Sequence, residues 1–439
     1  MTILIRAAQL FLSLLILIIV HEFGHFISAK IFHVRVEKFY IFFNPWFSIW
    51  KRKVGNTEYG IGWLPLGGYT KIGGMVDESL DTDQLAAPPR PDDFRSKPAW
   101  QRLIIMCAGV LMNLILAWTI YSCLLFSNGH SYLALNNVTY GIAPTELGKS
   151  IGFQPGDKIL AVNGQAPEEF AEVYSLMALH TNAIVTIKRH DSTLFIRIPK
   201  NHLDKMLAGD MLFSLRTPMC VYDVAEGSPA QRAGLQKGDS LVAIEGQPAA
   251  FFDEFKNAIA NDTTGSIELT VARGNQNLVL HCQVPESGIV GIYADSNPSR
   301  FFKISKKNYS LLAAIPAGLI YGKNRLCDYW QSLKMLFVPE AKAHKSLGGF
   351  IAMAKMFPAH WDWTTFWSFT AFISIILAVM NILPIPGLDG GHVLFLLYEV
   401  ITRKKPSTRF LSNAISWGLL FLLLLVLYAN INDIIRLFQ

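Results

Sequence analysis

Two histidines and a carboxylate stand together at His21-Glu22-Phe23-Gly24-His25. On a helix, a spacing of four puts both imidazoles on one face, where they can share a tetrahedral metal, with Glu22 beside them to take a proton from water at that metal. So short a motif recurs by chance, and its setting carries the argument. Leu10 to Val20 is a run of eleven uncharged residues that continues straight into it. Each ionisable group inside a bilayer costs roughly 2.5–3.5 kcal/mol on insertion scales, so three together call for a partner, and a bound zinc ion supplies one. Such a site needs a third protein ligand and leaves one position open for water. The segment Asn381-Ile382-Leu383-Pro384-Ile385-Pro386-Gly387-Leu388-Asp389-Gly390-Gly391-His392 contains a single carboxylate, Asp389, as the expected ligand, with His392 as rival ligand or as a partner behind it. Its two prolines break a helix and its glycines let backbone approach closely. Irregular backbone of this kind is not tolerated against lipid, so the segment must line a protein-walled or watered cavity. Asn381 stands ready to donate to a substrate backbone or a developing oxyanion, or else to bond within its own helix.

The elements that position these groups follow from composition. Of 439 residues, 51% are hydrophobic and only 16% charged, and the excess is concentrated in stretches long enough to span a bilayer. Four are expected, at residues 3–31, 103–126, 365–383 and 415–435. The first has no small-residue cleavage site behind its apolar run, so it reads as a retained helix rather than a signal peptide. Basic residues collect after the first stretch (Lys51-Arg52-Lys53, Lys71, Arg95, Lys97, Arg102) and after the third (Arg403, Lys404, Lys405, Arg409). The positive-inside rule places both loops in the cytoplasm and both termini outside. The first and third spans then both enter from outside and reach the cytoplasmic side with His21 and Asp389, as one shared site requires. The net charge of +6, with no basic stripe interleaved with aromatics, excludes a nucleic-acid partner. The five cysteines show no C-x-x-C spacing. Cys107 and Cys123 read as packing residues, and a disulfide between Cys220 and Cys282 is an open alternative.

The long outer segment contains a repeat. Gly152-Phe153-Gln154-Pro155-Gly156-Asp157, continuing to Asn163-Gly164-Gln165, matches Gly234-Leu235-Gln236-Lys237-Gly238-Asp239, continuing to Glu245-Gly246-Gln247, at a constant offset of 82 residues. Gly-Asp marks a turn, a short β-branched run follows, and Asn-Gly or Glu-Gly turns again. These units resemble PDZ domains. The second carries the usual lead-in Glu226-Gly227-Ser228-Pro229-Ala230, whereas the first departs from it with Ala143-Pro144-Thr145-Glu146. Further on, Leu312, Ile315, Leu319, Leu326, Tyr329, Leu333 and Leu336 recur at helical spacing with Lys323, Arg325 and Lys334 between them. They predict an amphipathic helix pair bent near Pro316, lying either at the outer membrane face or on the second repeat. The expected architecture is a membrane protein of four transmembrane α-helices, with an inserted cytoplasmic β-hairpin/sheet loop and two tandem extracytoplasmic PDZ-like α+β domains. By residue, the boundaries are 1–33 (first span), 34–100 (membrane-associated β-rich loop), 101–127 (second span), 128–215 and 216–298 (PDZ-like pair), 299–362 (amphipathic periplasmic helices), 363–402 (third span and the Asp389 segment) and 403–439 (loop and fourth span).

An H-E-x-x-H in the first span, the Asn381 to Gly391 segment in a later one and PDZ-like repeats between them resemble the site-2 protease family of intramembrane zinc metalloproteases. The likeness extends over nearly the whole chain, including Leu64 to Lys71, Phe94 to Arg102 and Ala108 to Asn113, and departs at Leu347-Gly348-Gly349-Phe350, where relatives have Gly-Pro. It implies a zinc metalloendopeptidase of the bacterial inner membrane, with zinc held by His21, His25 and Asp389 and with Glu22 as general base. It implies that the loop from Tyr59 to Lys71, including Gly67, Gly68 and Tyr69, binds unwound substrate by strand addition; the bland reading of that loop is a surface hairpin. Implied partners are the lipid bilayer, single-span membrane proteins such as a clipped anti-sigma factor of an envelope stress response, and remnant signal peptides, with the PDZ-like pair as a size filter. Three competing readings are weaker. A membrane-tethered scaffold leaves the motif unexplained, a transporter lacks an inverted repeat of the spans, and an anchored soluble peptidase would not carry its motif inside the anchor.

Overall fold

The computed structural model describes residues 2–64, 67–75, 88–178, 182–207, 210–335 and 348–435. It divides into two compact units, Met1–Gly129 with Asn308–Gln439, and His130–Lys307.

In the first unit, four helices among the described residues are long and apolar enough to cross a membrane. The first, Thr2–Ile31, ends in a Schellman turn: His33 takes φ 54°, its N–H bonds Lys30 O (3.1 Å), and Val34 N–H bonds Ala29 O (2.8 Å). The second, Ala99–Asn128, starts directly after Pro98, four residues ahead of its apolar run, because the buried Arg102 continues the helix and pairs with Glu399 at 2.7 Å. The third, Trp363–Ile382, is capped by Asp362, which accepts from Thr365 N–H at 2.8 Å. It stops because Leu383 precedes a proline and is extended (φ −59°, ψ 141°). A new helix, Asp389–Thr402, begins five residues after Pro384 with Asp389 in its first turn. The fourth span is Thr408–Ile435.

Between the first two spans lies a four-stranded sheet of β1 (Val36–Ile41), β2 (Phe43–Val54), β3 (Thr57–Leu64) and β4 (Tyr69–Ile72), in the order β2-β3-β1-β4. β3 runs parallel to β1, while β2 pairs antiparallel with β3, and β4 antiparallel with β1. The segment from Tyr59 to Lys71 is therefore not a hairpin, which corrects that reading. Its first half is an interior strand and its second half an edge strand on the far side of β1. The reason lies in Gly60, where a Cβ would run into the Tyr40 ring; only glycine lets β3 lie close against β1 there. Pro65 and Leu66 lie outside the described residues.

Leu311–Met335 is one helix that runs through Pro316 where a pair was expected, and within this unit it packs on the second and third spans. Trp118 Nε1–H donates to Ile315 O at 2.9 Å, Tyr121 and Tyr321 rings meet edge to face at 5.0 Å, and Tyr329 meets Phe372 at 6.2 Å. Pro316 removes a single hydrogen bond near the start of the helix, where these contacts already hold it. Of the residues expected in this region, Leu336 and Leu347 lie outside the described set.

The second unit holds two separate apolar cores, one drawn from Leu135 to Phe213 and one from Met219 to Val290. The repeat is built twice in the same way. Asp157 receives Arg189 Nε and Nη2, each at 2.7 Å, and Asp239 receives Arg273 Nε and Nη2, each at 2.7 Å. The same guanidinium groups reach Gly152 O and Gly234 O at 2.7 Å. Asn163 and Glu245 both take φ 50°, and their side chains accept from Ile184 N–H (2.8 Å) and Glu268 N–H (2.6 Å). Cys220 and Cys282 are buried and unbridged, so the disulfide alternative falls away.

Candidate metal centre

His21 and His25 project from one face of the first span, and the proline break after the third span turns Asp389 back towards them. Three atoms form a nearly equilateral triangle. His21 Nε2 lies 3.2 Å and His25 Nε2 3.3 Å from Asp389 Oδ2, and the two Nε2 atoms are 3.3 Å apart. Ligands about 2.0–2.1 Å from a tetrahedral zinc stand about 3.3–3.4 Å from one another, so the triangle has the size that zinc requires. The donor set agrees: two imidazole nitrogens and a carboxylate oxygen suit zinc, and buried Asp389 Oδ2 has no hydrogen-bond donor in line with it. Asp389 also sits at the positive end of its helix, where a carboxylate is favoured.

Glu22 is steered by the sheet. Thr70 Oγ1–H, on edge strand β4, donates to Glu22 Oε2 at 2.8 Å and approaches Glu22 O at 3.1 Å. Asn381 brings its amide to within 3.4 Å of His21 Nε2, so it faces the triangle of candidate ligands rather than the interior of its own helix. A cavity of about 460 Å³ opens beside the triangle, lined by His21, Glu22 and Asp389 on one side and by β4 on the other. Gly68 and Tyr69 line it, whereas Gly67 does not; a Cβ at Gly67 would lie 2.7 Å from the Phe43 ring, so that glycine serves sheet packing. At Gly68 a Cβ would meet Ile18 Cγ2 and Tyr40 O at 2.8 Å, which explains how β4 lies flat on the first span next to Glu22. Tyr69 OH donates to Asn44 Oδ1 at 2.8 Å. His392 lines the cavity wall but is not part of the clustered ligand set.

Sequence reasoning missed the groups that hold these side chains. His25 Nδ1 lies 2.9 Å from Ile105 O, Asn113 approaches His21 Nδ1, and Thr70 orients Glu22. Gly109 of the second span faces both imidazoles: an added Cβ would run into His25 Nε2 and stand 2.7 Å from His21 Cε1.

An H-E-x-x-H helix and a remote aspartate meeting at such a triangle, among helices apolar enough to cross a membrane, define a metalloprotease of the intramembrane class. The profile of Peptidase family M50 matches residues 9–425, and the chain belongs to that family. It is 30% identical over 471 residues to the regulator of sigma-E protease RseP of Salmonella typhimurium, covering 100% of both chains. It is 27% identical over 449 residues to the regulator of sigma E protease of Haemophilus influenzae, covering 97% of this chain and 98% of that one. A Xylella fastidiosa protein provisionally named a zinc metalloprotease is 30% identical over 448 residues, 96% of this chain and 97% of its own. The enzyme is a zinc metalloprotease.

Proposed function

We propose that the chain hydrolyses peptide bonds of single-span membrane proteins within a bacterial inner membrane, as a step of regulated intramembrane proteolysis. The observation that carries this reading is the triangle of His21, His25 and Asp389, built inside apolar helices and open to a cavity walled by a sheet edge. In this reading those three side chains hold zinc. When bound, zinc supplies Lewis-acid chemistry at the scissile carbonyl. Glu22, held by Thr70, takes the proton of the attacking water and passes it to the leaving amine. A substrate helix must unwind first, because its carbonyls are engaged internally. Edge strand β4 then pairs with the unwound backbone through Tyr69–Ile72, and Asn381 Nδ2–H donates to the substrate carbonyl as charge develops.

Both termini and the tandem PDZ-like units face the periplasm in this reading, and the units act as a size filter that admits only substrates whose outer domain has been removed. A clipped anti-sigma factor is the substrate type implied by the family resemblance, and relatives named as regulators of sigma E accord with it; remnant signal peptides share its short outer segment. The exposed aromatics Trp46, Phe47 and Trp50, next to Lys51-Arg52-Lys53 on β2, support a sheet that rests at the cytoplasmic headgroups.

The test is reconstitution of the full chain in lipid with a single-span substrate, with and without its outer domain. Glu22→Gln keeps its zinc and loses about 10²–10⁴-fold in cleavage, while Asp389→Ala loses both zinc and cleavage. Normal cleavage by Glu22→Gln refutes the assigned base. Equal cleavage of both substrates refutes the size filter.

A further inference from the structure

Both imidazoles direct Nε2 at the shared point, so each must carry its proton on Nδ1 to leave Nε2 a lone pair for the metal. His25 does this through backbone, with Nδ1–H donating to Ile105 O at 2.9 Å. Opposite His21 Nδ1 stands the side-chain amide of Asn113, its Nδ2 at 3.4 Å. Asn113 is fully buried, its Oδ1 has no hydrogen-bond partner, and its backbone carbonyl accepts from Ser374 Oγ–H of the third span at 2.7 Å, which anchors the second span at this level. Two defects coincide: a donor faces the nitrogen that must itself donate, and a buried acceptor lacks a donor, which costs about 1–3 kcal/mol. Turning the amide by half a revolution exchanges oxygen for nitrogen within the same volume. Oδ1 then faces Nδ1–H as its acceptor, which removes the donor-to-donor conflict at His21, while Nδ2 takes the place that Oδ1 held.

We propose that Asn113 is a positioning residue for the metal centre, its Oδ1 accepting from His21 Nδ1–H and so fixing the tautomer and ring orientation that present Nε2 to zinc. The opposite arrangement, with Nδ1 accepting from Nδ2, moves the ring proton to Nε2 and blocks the ligand atom. Asn381 does not compete for this role, because its amide lies against Nε2 and not Nδ1. The inference rests on the ligand assignment proposed above.

The test measures Zn2+ affinity of the purified full chain by competition with a chelator of known affinity, alongside melting of the zinc-free protein. Loss of a hydrogen bond behind a ligating histidine typically weakens metal binding about 10–100-fold. Asn113→Leu, which fills the same space without an acceptor, is expected to lose that factor with the zinc-free melting temperature unchanged. Asn113→Asp, which keeps only acceptors, is expected to bind at least as tightly as the wild type. Should Asn113→Leu fail to fold, Asn113→Ala carries the same expectation. Wild-type affinity in Asn113→Leu, or an equal loss in Asn113→Asp, overturns the proposal. His21→Ala separates the two readings. Zinc retained there refutes the ligand assignment itself, whereas zinc lost there and kept in Asn113→Leu refutes only the role of Asn113.

Discussion

Gly109 is the residue at which the smallest change should do the greatest damage to the centre. A methyl group at this position would run into His25 Nε2 and lie 2.7 Å from His21 Cε1 and 2.9 Å from His21 Nδ1. Non-bonded carbons settle at about 3.5–4.0 Å, so the His21 ring must retreat by roughly 0.8 Å, against a tolerance of about 0.2 Å in a metal–ligand distance. Retreat of the second span is opposed by its anchor to the third through Ser374 and would open the close packing of Gly24 on Ala108. Overpacking costs about 1–3 kcal/mol; taken wholly from metal binding, that is about 5–150-fold in Kd. Gly109→Ala should therefore bind zinc 5–150-fold more weakly in a chelator competition on the purified chain and lose cleavage in proportion. Gly322→Ala is the control, since the nearest atom there, Tyr121 Cδ2, lies at an ordinary 3.6 Å, and it should match the wild type. A folded Gly109→Ala protein with wild-type zinc affinity would refute the packing argument.

Thr70→Val keeps the shape of the side chain but removes the hydrogen bond to Glu22 Oε2; hydrogen bonds to charged groups are worth about 1.5–3 kcal/mol. We expect kcat to fall about 10–150-fold at unchanged zinc content and Thr70→Ser to restore it; unaltered kcat in Thr70→Val excludes the orienting role. Arg102→Met strands Glu399, which the guanidinium holds at 2.9 and 2.7 Å from side chains only 8% and 14% exposed. Denaturation should show a loss of about 3–5 kcal/mol, largely recovered when Glu399→Leu is added. Burial raises the pKa of Asp239, but the Arg273 guanidinium and the Gln236 N–H outweigh it and hold the carboxyl below its usual range. A depressed folded pKa gives stability that is full above the unfolded value of about 3.9 and is lost as pH falls through the folded one. Hydrogen-exchange protection in strand Ser266–Arg273, taken relative to the intrinsic rate at each pH, should therefore fall below about pH 4, and Arg273→Met should be less stable at neutral pH with a flatter acid response.

The residues brought together at the centre could be singled out in the sequence because their signals are local. An i, i+4 pair of histidines in an apolar run is costly without a partner, and a Pro-Pro-Gly-rich break with one carboxylate is as conspicuous. The spans followed from composition. The repeat followed from Gly-Asp and Asn-Gly turns, which recur because each copy needs a buried aspartate clamped by a later arginine and a left-handed residue at Asn163 or Glu245. Sheet order was not legible. The parallel pairing of β1 with β3 is a tertiary choice allowed by Gly60, and no hairpin signal encodes it. Nor was the seat of Leu311–Met335, whose apolar periodicity fits a lipid surface, a repeat or other helices equally well.

Positioning was least legible, for a physical reason. The cost criterion that exposes His21, Glu22 and His25 applies to ionisable groups; Asn113 and Thr70 are neutral, cheaper to bury and common at helix and sheet packing sites, so nothing in their own neighbourhoods marks them. Their work appears only when elements 48 and 92 residues apart in sequence meet. The consequence is a division of labour between local and non-local information. The proposed ligands and base lie on the first span and on the helix after Pro384, whereas the side chains that contact them lie on the second span and on β4. Because β4 orients Glu22 through Thr70 and also borders the cavity through Tyr69 and Ile72, the wall beside the cavity and the aim of the carboxylate belong to one piece of secondary structure, and any shift of that strand must disturb both together.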